Sequence, residues 1–305
     1  MGALDQPRDD HGRFASSGLG KWAEKKTEGG PSAGAVLAQA KTAPKRQWTD
    51  KLPEGMAAET WQTHYDAHPD PDKGGGKPSA ERVASVHDPI MKAALDHVKP
   101  VAPGEKKIAI MTMGAPASGK SSAMRDIDES QFVKVDPDAI KEKLPEFQKA
   151  IDPKNTYRGA AAMTHEESSH IAKELTKRAI AQGKNVIVDG TGANVKNFVE
   201  KMNALKAAGY EVHVRMPHIE HEEGVKRMVA RAESSGRYVP DNVVKTAYET
   251  IPKNVTAIAK AADTFKLFDN MPKGGKLVYE KTRDGQHIEH DPAFMASFRA
   301  KHPQR

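Results

Sequence analysis

One short loop limits what this chain can fold into more than any other feature. Gly114-Ala115-Pro116-Ala117-Ser118-Gly119-Lys120-Ser121 satisfies the pattern GxxxxGK[ST] at every fixed position. Glycines at those places let consecutive backbone N–H groups turn inward and cradle a phosphate. The apolar run Ile108 to Met113 comes just before the loop, and the helix-competent Ser121 to Asp128 just after it. That context is what separates a phosphate loop from a glycine-rich surface turn. A helix beginning near Gly119 would add its positive N-terminal end to the same spot. On this reading 114–122, including Ser122, holds the phosphates of ATP. Lys120 reaches the β- and γ-phosphates, and the Ser121 hydroxyl is placed on Mg²⁺.

The loop opens a regular alternation. Further apolar runs at Phe132 to Val135, Asn185 to Val188 and Tyr210 to Met216 read as buried strands. Between and after them, helical spacing covers Met163 to Gln182, Asn194 to Ala208, Glu220 to Ser234 and Asp241 to Ala262, with Gly183 and Gly209 as stops. Phe265 to Phe268 and Lys276 to Lys281 read as closing strands. Strands alternating with helices of this length predict an α/β domain, a P-loop NTPase or kinase core with a parallel sheet flanked by helices.

The first third of the chain has a different composition. Residues 1–104 hold 12 of the 24 glycines and 10 of the 20 prolines, with 14 basic and 14 acidic residues. The net charge of +6 therefore belongs to residues 105–305, with 33 basic against 27 acidic, and suits anionic ligands such as nucleotides. Residues 1–80 read as a Gly/Pro-rich, largely disordered tail with short helices around Ala35 to Lys41 and Gly55 to Tyr65. All three tryptophans, Trp22, Trp48 and Trp61, fall there. They serve either to cover a neighbouring surface of the folded domain or to dock a partner. An amphipathic lead-in helix and linker follow over 81–104. The core spans 105–271, and 272–305 is a C-terminal strand with a short helix or tail. No run reaches the ~18 to 20 apolar residues of a membrane span. Asp5, Arg8, Asp9 and Asp10 interrupt any secretory apolar core. The chain has no cysteine, so a disulfide framework and a thiolate metal site are excluded. A cytoplasmic setting is expected.

Phosphoryl transfer needs carboxylates near the metal and the attacking hydroxyl. Asp136 and Asp138 follow the second strand, where an open parallel sheet binds its ligands. Asp136 either reaches the metal or caps the helix that starts near Pro137. The third strand runs into Asp189-Gly190-Thr191-Gly192, with a second carboxylate and two glycines that admit close approach. Arg227 and Arg231 share a helix face, and Arg237 follows a Ser235-Gly236 break suited to a mobile lid. Such arginines stabilise charge on a transferring phosphoryl group.

Taken together, Gly114 to Ser122, Val135 to Pro145, His165-Glu166-Glu167, Val186 to Gly192, Arg231 to Pro240 and Phe268-Asp269-Asn270 resemble, in order, the zeta-toxin-type P-loop kinases. The resemblance covers about residues 105–271. It implies that ATP phosphorylates a small hydroxyl-bearing metabolite, such as the sugar 3′-hydroxyl of UDP-N-acetylglucosamine. By it Lys120 is the phosphate-binding lysine and Asp138 the base. Asp189, Thr191 and Glu166 lie on the acceptor side, and Arg231 and Arg237 on the γ-phosphoryl group, with Arg227 as the alternative to Arg231. The plasmid toxins carry Glu where this chain has Asp189, a carboxylate shorter by one methylene. Family members are commonly blocked at the ATP site by an antitoxin, which makes such a protein an expected partner.

A second, shorter likeness lies in the tail. Asp5-Gln6-Pro7-Arg8 with Gly12-Arg13-Phe14-Ala15 looks like the opening of some phage-encoded head-associated proteins. It implies a phage structural partner and a host-cytoplasm setting. Two other readings compete with the metabolite kinase. A 5′-polynucleotide kinase would want a basic groove with stacking aromatics, which the core motifs lack, so nucleic acid is not the expected partner. A nucleotide-binding particle component acting through its tail would keep the loop without turnover.

Overall fold

The computed structural model describes residues 46–56, 60, 65–70, 75–271 and 275–304. Trp22, Trp61, the helix expected at 35–41, much of the one expected at 55–65 and the phage-like opening lie outside them. The six strands read from sequence, joined by a seventh short one that the sequence did not signal, form one sheet: β1 (Lys107–Thr112), β2 (Val133–Val135), β3 (Val186–Asp189), β4 (Tyr210–His218), β5 (Thr264–Asp269), β6 (Lys276–Lys281) and β7 (His287–Glu289). Their order is β2-β3-β1-β4-β5-β6-β7. The first five are parallel and the last two antiparallel. β1 lies in the middle, which is why Ala109, Ile110 and Met111 are all buried and its run does not alternate.

Helices cover the sheet. A helical stretch at 80–95 is α1, followed by α2 (Pro137–Lys141), α3 (Pro145–Ala150), α4 (Ala160–Met163), α5 (His165–Ala181), α6 (Val195–Ala207), α7 (His221–Ser235), α8 (Asp241–Thr250), α9 (Val255–Ala261) and α10 (Pro292–Lys301). On α5 the residues Ile171, Leu175 and Ala179 recur every four positions and are fully buried. Gly183 and Gly236, at φ 64° and 74°, supply the left-handed turns that stop α5 and α7. The helix expected over 241–262 is instead two, because Pro252 has no N–H to continue the ladder and a 3₁₀ turn, Ile251–Asn254, intervenes. No helix among the described residues is long and apolar enough to cross a membrane.

Among the described residues, contacts with the core are already made at Arg46, inside the segment read as a tail. Trp48–Thr49 pairs in parallel with Thr156–Tyr157. α1 is tied down by charge. A wide turn at Val83–His87 puts Arg82 and His87 on one face, where both meet buried Glu167 on α5, at 2.7 and 2.8 Å. Arg82 also grips Glu146 with two hydrogen bonds of 2.9 and 2.8 Å. Burial would raise the Glu167 carboxyl, but hydrogen bonds from His87, Arg82 and Thr60 outweigh it and bring it down to about 2 from an ordinary 4.5. Its contribution to stability is therefore complete above pH 4.5 and drains away as the pH falls toward 2. Glu167→Gln should cost about 3–5 kcal/mol in urea unfolding at pH 7, because Arg82 is left without its nearest counter-charge. The gap between variant and wild type should narrow when the melts are repeated in acid.

Candidate functional site

The sheet register assembles the acidic side of the site. Thr112 ends β1 opposite Asp189, which ends β3, and their side chains hydrogen-bond, Thr112 Oγ1 donating. Val135 of β2 lies opposite Val188, so Asp136 emerges beside Asp189. Asp136 Oδ1 accepts the Asp138 N–H at 2.8 Å and caps α2, and Asp136 lines the cleft. These carboxylates stand at the carboxyl ends of the parallel strands, the ligand-binding edge of such a sheet.

The phosphate loop leaves β1 between two backbone tethers. Met113 N–H donates to Arg215 O and Gly114 N–H to Thr191 O, each at 3.0 Å. Gly114 has φ 149°, and a Cβ there would lie 2.6 Å from Ser118 Oγ. Ala117 adopts φ 59°, a left-handed conformation that costs an alanine free energy and that the surrounding fold must enforce. Gly119 has φ 90°, and a Cβ there would sit 2.0 Å from Asn270 Nδ2. That amide, just past β5, donates to Ser118 O at 2.8 Å and closes the loop from the far side. Ser118 Oγ is buried with no hydrogen-bond partner in the protein, an orphan donor aimed into the cradle.

The α-helix expected over 121–128 does not form. A 3₁₀ turn, Lys120–Met124, takes its place. Buried Arg215 explains the difference. Its Nε donates to Ala123 O at 2.6 Å, taking the carbonyl that an α-helix would offer to residue 127, and its Nη2 holds Asp126. The loop is therefore followed by a single 3₁₀ turn, without a long helix dipole behind it.

Two adjoining clefts meet over the loop, of about 530 Å³ on the phosphate-loop side and about 260 Å³ beyond it. Lys120, Asp136, Asp138, Asp189, Arg231 and Arg237 line both. Lys120 Nζ stands 3.6 Å from Asp189 Oδ2. Asp138 is the hub: Lys141 Nζ lies 3.2 Å away, Arg237 Nη1 3.5 Å and Arg231 Nη2 3.8 Å. Burial alone would raise the Asp138 carboxyl, but Lys141, Arg237, Arg231 and Lys120 together hold it far below the usual carboxylate range. Asp189 goes the other way. Burial pushes it up, Asp136 and Asp138 add to the push, and Lys120 and Thr112 only partly offset it.

Thr191 and Gly190 line the smaller cleft, and Ser121 the larger. Ser122 lines neither. Of the pair at the start of α5, the structure puts His165 on the cleft wall and Glu166 off it. Arg227 faces the loop-side cleft but is engaged by Glu223 at 2.8 Å and by Asn270 O at 3.2 Å. Arg231 is the arginine of the two that reaches Asp138. Residues the motifs did not single out are Lys141, Arg158, Tyr238 and Thr112. Lys141 had a signal, since it sits three positions after Asp138 on one helix.

The chain matches the family model described as Zeta toxin over residues 92–283. It is 22% identical to Toxin zeta of Enterococcus hirae over 179 residues, covering 54% of this chain and 62% of that protein. The chain thus spans less than two thirds of that relative's length. In fold it is similar to the AvrRxo1-ORF1:-ORF2 crystal structure with ATP, at TM-score 0.65 and 14% identity over 82% of this chain and 83% of that one. It is also similar to a structure from the PezAT chromosomal toxin-antitoxin system of Streptococcus pneumoniae, at TM-score 0.53 and 14% identity over 72% and 87%.

Asn270→Ala should lower stability by about 1–3 kcal/mol in thermal unfolding, because it strands the buried Ser118 carbonyl. Asn270→Asp should be no better, since a carboxylate has no N–H to donate at neutral pH.

Proposed function

The chain belongs to the zeta toxin family, and from that premise we propose that it is an ATP-dependent kinase acting on a hydroxyl of a small metabolite. The observation that carries this reading is the convergence of Lys120, Arg231 and Arg237 with Asp138 and Asp189 beside a formed phosphate loop. The Ser118 hydroxyl, buried in the loop without a hydrogen-bond partner, suits a phosphate oxygen as its acceptor. ATP is carried over from the AvrRxo1-ORF1:-ORF2 structure that contains it.

In this mechanism Lys120 leaves Asp189 for the β- and γ-phosphates, while Arg231 and Arg237 leave Asp138 for the γ-phosphoryl group. That exchange changes the character of Asp138. Surrounded by cations it is too weak a base to take a proton. With those cations drawn to the triphosphate, its proton affinity rises toward the range useful for general base catalysis. Asp138 accepts the acceptor's hydroxyl proton as the new O–P bond forms and the bond to the β-phosphate oxygen breaks, releasing ADP. Asp189 and Thr191 hold the acceptor, and Glu166 is the lesser acceptor-side candidate because its neighbour His165, rather than Glu166 itself, lines the cleft. The donors near the loop are hard oxygens, which fit Mg²⁺. Ser121 and Asp136 would hold the ion, and it would neutralise charge on the β- and γ-phosphates.

The smaller cleft holds the acceptor, and a nucleotide sugar such as UDP-N-acetylglucosamine is the first candidate. Among the described residues, Tyr238 is the one Phe, Tyr or Trp lining either cleft, too little stacking surface for a polynucleotide strand. By analogy with the toxin-antitoxin assembly named for PezAT, an antitoxin-like protein is the partner to seek.

Purified protein should convert ATP to ADP faster when UDP-N-acetylglucosamine or a broad metabolite extract is added, with a product heavier by one phosphoryl group in mass spectrometry. Lys120→Ala should abolish turnover, and Asp138→Asn should reduce it by roughly 10²–10⁴-fold while ATP still binds. No acceptor-dependent turnover with the full extract would overturn the reading.

A further inference from the structure

Residues 46–50 precede the region that matches the family model, yet they touch the arginine-bearing wall of the cleft at three places. The first is the C-terminus of α7, the helix that carries Arg231 and leads into Arg237. A helix end leaves carbonyls without N–H partners and gathers partial negative charge, and α7 has no basic residue in its own last turn. Arg46 supplies both needs. Its Nε donates to Glu233 O at 2.7 Å and its Nη2 to Ser234 O at 3.0 Å, while Nη1 ties the same end to Ile151 O at 2.5 Å.

The second place is the turn itself. Gly236 has φ 74°, and a Cβ there would press on Ile151 at 2.8 Å and approach Arg46 Nη1 at 3.4 Å. The turn is thus packed between α3's end and Arg46. Trp48 Nε1 donates to Glu233 Oε1 at 2.7 Å, and its ring meets the edge of Tyr238 at 6.1 Å between centroids. Arg237 therefore stands between a capped helix end and a tyrosine braced by Trp48. The third place is Arg158 on the smaller cleft, whose N–H donates to Thr49 O at 3.0 Å and whose guanidinium pairs with Asp50 at 2.9 Å. Arg46, Trp48 and Asp50 occupy alternate positions around the two-residue strand Trp48–Thr49, and their side chains make these contacts.

We infer that residues 46–50 form a strap that positions Arg237 and Tyr238, with Arg46 and Trp48 as positioning residues for the terminal phosphoryl group. The reactive consequence rests on the kinase reading, whereas the mechanical one does not. A segment read from sequence as tail thereby becomes part of the cleft's architecture. The arginine lid expected from the Ser235-Gly236 break is a braced turn, and what braces it comes from the far end of the chain.

The test uses the full chain carrying Arg46→Ala or Trp48→Ala, beside Arg46→Lys and Trp48→Phe, each checked for cooperative thermal unfolding. Without nucleotide, hydrogen–deuterium exchange over 235–240 should accelerate about ten-fold or more in the alanine variants as the cap and brace are lost. Trp48→Phe, which keeps a ring against Tyr238, should recover part of the protection, and exchange within 171–180 should not change. Unchanged exchange over 235–240 in both alanine variants would overturn the strap. Binding then separates its effect on the reaction site. Affinity for a non-hydrolysable ATP analogue should fall roughly ten-fold while that for ADP holds, since only the analogue presents a terminal phosphate to Arg237. Equal losses for both nucleotides, or none, would overturn the positioning role. If the wild type binds neither nucleotide, the kinase reading falls, and the exchange measurement still decides for or against the strap.

Discussion

The cleft is organised by a carboxylate outnumbered by cations. Lys120, Lys141, Arg231 and Arg237 all act on Asp138, and without it they would repel one another across a partly desolvated space. Each part of the fold supplies one member of this balance. The β1 loop brings Lys120, α2 brings Asp138 and Lys141 at successive turns, α7 brings Arg231, and the Gly236 turn brings Arg237. Because Asp138 is pinned through the Asp136 cap, the negative centre stays put while its partners can be drawn away by a more highly charged ligand. The site is thus assembled with its charges already paired, and under the proposed kinase reading a nucleotide would exchange these counter-ions without building a new structure.

Much of this could be read from sequence because the signals were local. β1, β3 and β4 are apolar runs, and the loop's glycines occupy positions that need left-handed backbone. Asp138 and Asp189 follow from their places after strands, Arg231 from its helix face, and Arg237 from the Ser235-Gly236 break. Their convergence within 4 Å of shared partners is a matter of register, which the motifs suggested but did not contain. What escaped was long-range. Arg215 lies 92 residues from the Ala123 carbonyl that it takes, so nothing near the loop announces that the helix after it will stop at a 3₁₀ turn. The two-residue pairing of Trp48–Thr49 with Thr156–Tyr157 has too little sequence to leave a pattern. Pro252 is a local signal, and it marks the break in the 241–262 helix. At His165-Glu166-Glu167 the motif was clear, but the helix phase decides the roles: His165 faces the cleft, and Glu167 is buried against Arg82.

The central position of β1 also bears on how the chain acquires its site during synthesis. β1 pairs with β3 and β4, both later in the chain, and the loop's far side is closed by Asn270. A nascent chain that has extruded Lys120 still lacks its neighbours on both sides of the sheet, Arg237, and the amide that shuts the cradle. At roughly 5–20 residues per second, the ribosome needs roughly 8–30 s to run from the loop to Asn270. For that interval the phosphate-binding sequence exists without a phosphate site, and a product terminated before β5 never gains one. The loop's architecture is in this way completed only by later strands of the sheet.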